Sequence, residues 1–122
     1  MAKEDAYAND ILDHTVGNST WTSPSPVFIA LTQAGTEVAS GNAARVEAPS
    51  TDWNNAVGGE MTNANAITFP EGGGDAEPDG FAVYDAATSG NRLRSGTLTD
   101  SFVWAANTTP EFAPGACTLT ES

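Results

Sequence analysis

The sequence predicts a mainly β fold, a β-sandwich or jelly roll of about seven or eight short antiparallel strands with one N-terminal helix. Three observations lead there. Short β-rich runs such as VFIAL and AITF recur between clusters of Gly, Pro, Asn and Ser. The stretch GFAVYDAATSGNRLRSGTL, residues 80–98, alternates, passes through turn residues and alternates again, which describes two antiparallel strands joined by a loop. Helical spacing of apolar residues is seen near the N-terminus alone.

The elements follow in order. Residues 3–16 are the predicted helix: Ala8, Leu12 and Val16 fall at i, i+4 and i+8 with Tyr7 and Ile11 beside them, and Gly17 is placed to end it. The stripe faces either the chain's own sheet or a neighbouring subunit. Residues 18–26 are a loop of Asn, Ser, Thr and Pro containing Trp21. VFIAL, residues 27–31, is nearly continuous in its apolar character and is expected at the centre of the sheet. A short piece at 36–39 precedes a strand at 43–48, with Arg45 and Glu47 on a polar outer side and Ala44, Val46 and Ala48 on the other. Residues 49–60 are a loop holding Trp53, and 61–69 contain a strand, strongest at 66–69 and stopped by Pro70. The tract EGGGDAEPDG, residues 71–80, reads as an acidic loop. After the hairpin come a strand at 101–105 with Phe102 and Trp104 on one face, a turn at 107–110, and a last strand at about 116–120.

With 122 residues the chain is expected to be one structural domain, residues 1–122, with a single core. Sixteen Asp and Glu stand against four Lys and Arg, a formal charge of −12. That balance argues against nucleic acid and against anionic membrane surfaces as partners, because like charges repel. It also makes the folded chain repel itself, so salt or a basic partner surface should relieve it. Cys117 is the single cysteine, which excludes an intrachain disulfide. The N-terminal residues carry acids where a secretory signal carries positive charge, and no apolar run approaches the roughly 20 residues that span a bilayer.

The residues that could do chemistry are few. His14 is the single histidine, and the neighbouring Asp13 projects about 100° away on a helix, so the pair lacks the geometry of an oriented general base. No serine sits in a G-x-S-x-G elbow, and EGGG is not followed by the Lys-Ser/Thr of a phosphate loop. Asp75, Glu77 and Asp79 before Gly80 resemble the start of a calcium loop, yet its bidentate Glu would fall at Ala86, and the bland reading is a solvated acidic run. Asn18-Ser19-Thr20 and Asn107-Thr108-Thr109 match the glycosylation pattern by chance if the chain is not exported. The sequence therefore predicts no enzyme, no cofactor and no metal. Tyr7, Ile11, Trp21 and Trp53 are the candidate partner-interface residues, since aromatic anchors carry much of the energy of protein contacts; each loop tryptophan reads equally as core.

The ordered series YANDILDHTVG, PSPVFIALTQAGTEV, NAARVEAPSTDWNNAVGGEMTNANAITFP, GFAVYDAATSGNRLRSGTLT and FAPGACTLT resembles a family of small virion structural proteins of tailed bacteriophages. The likeness covers nearly the whole chain, and the stretch GGGDAEPDG departs from it where a more apolar approach to the hairpin is expected. Members carry tail-fibre or minor structural labels, and similar small β proteins act as capsid cement. The resemblance implies a virion protein made in the host cytoplasm, working by contact with the major capsid protein or other virion proteins, and associating into trimers or dimers. A capsid decoration or cement role is the expected one; a tail, collar or fibre component is the alternative. A carbohydrate-binding module, with tryptophans stacking on sugar rings, is the competing reading of another class.

Overall fold

The computed structural model describes residues 2–3, 5–18, 26–38, 45–98 and 101–120. Among them are one α-helix, α1 (Asp5–Thr15), one 3-10 turn (Ser50–Asp52) and ten short strands: β1 (Ala2–Lys3), β2 (Val27–Gln33), β3 (Thr36–Val38), β4 (Val46–Ala48), β5 (Glu60–Thr62), β6 (Ile67–Thr68), β7 (Gly80–Tyr84), β8 (Arg92–Thr97), β9 (Glu111–Phe112) and β10 (Thr118–Thr120). A mainly β architecture with one N-terminal helix is what the sequence predicts. All ladders between these strands are antiparallel.

Six strands form the main sheet, in the order β1-β8-β7-β2-β3, with β4 also paired to β2. Val27–Ile29 of β2 face β4, Leu31–Gln33 face β3, and the opposite edge of β2 pairs along its length with β7. The run VFIAL takes this central place because it is apolar on both faces. Ile29 opposite Val83 and Leu31 opposite Phe81 point into the main core, whereas Phe28 opposite Tyr84 and Ala30 opposite Ala82 form a second, smaller cluster on the reverse face. All five residues of β7 are buried.

A second layer closes the main core. It consists of two two-stranded ribbons, β5 with β10 and β6 with β9, so the sandwich has one broad sheet and one divided face. Phe69 meets Trp104 at 5.9 Å and Phe112 at 6.0 Å, and Phe81 meets Phe112 at 5.6 Å, all edge to face. Fully burying side chains of this kind contributes about 1.5–3 kcal/mol each. Trp104 is buried and donates its indole N–H to the Pro70 carbonyl at 3.1 Å, which satisfies its one polar group.

The hairpin at 80–98 lies where it is predicted. The Val83–Arg94 and Tyr84–Arg92 pairings leave Leu93 over, a bulge that sends this leucine into the core. Asp85 closes the connecting loop: one carboxylate oxygen accepts from the Asn91 backbone N–H at 2.7 Å and the other from its side-chain amide at 3.1 Å.

Several expectations are corrected. The helix begins at Asp5 rather than residue 3, because Lys3 is paired with Arg94 in β1. It ends as expected, with Asn18 N–H on Asp13 O and Gly17 N–H on His14 O, the paired bonds of a Schellman cap. Of the apolar stripe, Tyr7 and Ile11 are half-buried while Leu12 and Val16 are 65% and 77% exposed, so the packed side is not the one that Ala8, Leu12 and Val16 mark out. Within 61–69, β6 falls in the part expected to be strongest, and a second strand, β5, precedes it across a corner at Asn63. Residues 101–105 are not a ladder strand; Phe102 N–H and Trp104 N–H bond instead to the carbonyls of Pro78 and Ala76.

Those bonds revise the acidic tract. Residues 75–80 alternate as an extended run does, with Ala76, Pro78 and Gly80 buried and Asp75, Glu77 and Asp79 exposed between them. Gly72 is required by proximity, since a Cβ there would stand 2.3 Å from the Trp104 ring. The run is half core wall and half acidic surface. Of the strand expected at 43–48, β4 covers 46–48, and residues 43–44 fall outside the described residues.

Candidate interaction surface

The candidate site residues are distributed over the two layers rather than gathered in one cleft. Asp75, Glu77 and Asp79 occur at every second position of an extended segment, a spacing of about 6.6 Å per step that spreads carboxylates along an edge instead of converging them. Among the described residues no group of three His, Cys, Asp or Glu comes close enough to hold a metal ion. Asp79 has a different task. Its carboxylate accepts from the Ala34 N–H at 3.1 Å, bracing the turn between β2 and β3 in which Ala34 and Gly35 both stand at positive φ. The backbone N–H of Glu77 bonds to the Gln33 side chain at 3.1 Å.

Tyr7 packs against the main core, with the Arg94 guanidinium 5.3 Å from its ring centroid, and Ile11 lies half-buried one turn on. Trp53 also packs on the core and donates its indole N–H to Ala48 O at 3.3 Å. Trp53 thus takes part in the fold and is half-buried. Trp21 lies outside the described residues. His14 is exposed on the helix. Cys117 is buried, and desolvation pushes its thiol up to about 12, leaving it neutral and unreactive near pH 7. Among the described residues no helix is long and apolar enough to cross a membrane.

Two residues that organise the surface escape the sequence reading. Arg45, expected on the polar outer side, is on that side but is covered, lying across Tyr84 with its guanidinium 3.6 Å from the ring centroid. It forms a two-pronged ion pair with Glu37 at 2.8 Å on each prong, and donates to Ala86 O at 2.7 Å and Ser89 O at 2.8 Å. The Glu37 hydrogen bond raises the guanidinium's pKa above its ordinary value despite the opposing desolvation. This one side chain fastens the β7–β8 loop to the β2–β3 hairpin. Alternation places Arg45 on this reverse face with Glu47, as expected, but does not show that the side chain is covered there; the signal that could have found that is the scarcity of cations in an acidic chain.

Asn63 is the second. It is fully buried, donates to Asn65 O at 2.9 Å and Ala113 O at 3.0 Å, and accepts from the Cys117 N–H at 2.8 Å. It joins the β5–β6 corner to the segment that leads into β10. That segment forms one wall of a cavity of about 530 Å³ between the main sheet and the β6–β9 ribbon, open to solvent and walled by Phe81, Leu98, Phe102 and Phe112. Other apolar groups reach the surface at Leu12 of the helix, at Val16 just after it, at Val57, and at Val103.

Over residues 2–120 the sequence matches the family described as podophage GP4 fiber I protein gp80. The chain belongs to this family, Gp80. No curated protein matches it. As a Gp80 chain it is a structural protein of the tailed-phage virion, the class that the resemblance implies, and its partners are other virion proteins. For such a protein the features that matter are those that present surface: the clamped loop of residues 85–91, the outer face of α1, and the aromatic cavity.

Proposed function

We propose that this chain is a non-enzymatic subunit of a podophage fibre, built to make fixed contacts with other virion proteins. The observation that carries the reading is the family match along residues 2–120, whose description names a fibre protein. The structure supports it in kind: Arg45, Asp79 and Asn63 each use their polar atoms to hold loops in place, which suits a part that is rigid before assembly. The exposed carboxylates of residues 75–79 would meet basic patches on neighbours.

Self-association into trimers or dimers belongs to the same proposal. Leu12 on α1 and Val16 just past its end, both exposed, are the apolar groups we assign to contacts between copies. The family description names a fibre protein, so we adopt the fibre position, kept as the alternative in the sequence reading, ahead of the capsid-decoration role. Gold-labelled antibody against the protein, applied to intact particles, tests this. Label on the fibres is expected; label spread over the shell would return the decoration reading, and unlabelled particles that lack the protein would refute both.

A further inference from the structure

We infer that the aromatic cavity between the main sheet and the β6–β9 ribbon is the docking site for an apolar anchor, flanked by a lysine or arginine, on a different virion protein. The inference rests on the proposed virion role and adds the place and chemistry of the contact. Phe81 and Phe112, 5.6 Å apart and edge to face, form the floor. Gly96 is part of the design, because a Cβ there would stand 2.7 Å from the Phe81 ring and would push it out of position. Leu98, Phe102 and Phe112 are only half-buried, so the fold leaves apolar surface uncovered in a concave place. A volume of about 530 Å³ holds one or two large side chains and lies within the range of ordinary binding pockets.

Charge selects the occupant. Among the described residues lining the cavity, Glu111 is the one charged side chain; it is exposed, and one of its carboxylate oxygens accepts from the Thr68 hydroxyl at 3.2 Å. The arginines of the described residues are engaged elsewhere: Arg45 with Glu37, Arg92 with Gly35 O and Arg94 with Thr120 O. Among the described residues the lining thus carries one negative charge and no positive one, in a chain of formal charge −12. A second copy of this chain, with four Lys and Arg in 122 residues, offers few apolar residues beside a cation, so such a residue on a different protein is the better occupant.

The test places the photo-crosslinker p-benzoyl-phenylalanine at the exposed rim position Thr97, and in a control at Val57. Each full-length protein is supplied during infection, and purified particles are irradiated and the linked peptides sequenced. The expected product joins position 97 to another virion protein at an apolar residue with Lys or Arg a few positions away. Glu111→Lys should lower that yield several-fold with the circular dichroism unchanged. Protein present in the particle but linked at position 97 to nothing, to its own copies or to an acidic segment overturns the docking site while leaving the virion role intact. Particles without the protein overturn both.

Discussion

Replacing Asn63 by alanine should remove a large share of the stability of this fold. The substitution deletes two donated hydrogen bonds, to Asn65 O and Ala113 O, and one accepted from the Cys117 N–H, all at 2.8–3.0 Å in a fully buried place. Each bond contributes about 0.5–1.5 kcal/mol net, and a buried N–H left without a partner costs about 1–3 kcal/mol. The two figures overlap, and together they give a loss of about 3–5 kcal/mol. Native stability is of the order of 5–15 kcal/mol, so about a fifth or more would go. Urea denaturation followed by tryptophan fluorescence measures it. With a slope of about 1.5 kcal/mol per M, the midpoint should fall by roughly 2–3 M. Asn63→Asp makes a sharper comparison: it keeps an acceptor for Cys117 N–H but sets carboxylate oxygens against the Asn65 and Ala113 carbonyls, and should be no better than alanine at neutral pH. A loss below about 1 kcal/mol for Asn63→Ala, at unchanged slope, would show that the corner does not depend on this side chain.

Other outcomes follow from the same structure. Arg45→Met should loosen the β7–β8 loop, seen as faster amide hydrogen exchange over residues 85–91, with Arg45→Lys intermediate because one ammonium cannot make all four contacts; unchanged exchange would contradict the clamp. Burial raises the Cys117 thiol from 9.0 to about 12, so the folded state holds a proton that the unfolded state releases. Stability from this group is complete below pH 9 and is lost as pH rises toward 12, and Cys117→Ala should flatten that part of the urea midpoint against pH; an equally steep fall in both proteins would remove the thiol from the account. Thermal stability should rise with NaCl as sixteen acidic and four basic side chains are screened, and a flat response would dismiss self-repulsion.

Local pattern made much of the fold legible. VFIAL and the 80–98 hairpin carry their own alternation and turn chemistry, so the centre of the main sheet could be read directly. The acidic tract carried an equally plain alternation, with Ala76 and Pro78 between Asp75, Glu77 and Asp79, but its glycines and charges outweighed it and half a core wall read as loop. Helical spacing showed an apolar stripe without showing which edge packs, because that is decided by where β1 tethers the helix to Arg94 and Ser95. Arg45 and Asn63 were beyond local reading for a simpler reason. Their partners Ala86, Ser89, Ala113 and Cys117 lie more than forty residues away along the chain, so the need for a buried cation or amide appears only once the strands are assembled. The aromatic cavity is likewise made from β7, β8 and β9, and no single stretch announces it.

A reconstruction of the intact phage at a resolution that traces side chains bears most directly on the claim that this chain acts through its contacts. The two-layer fold should be found in the fibre, with the outer face of α1 against another copy and the Phe81–Phe112 cavity filled by a neighbouring protein. Particles that carry the protein with both surfaces facing solvent, or that assemble complete fibres without it, would contradict that claim.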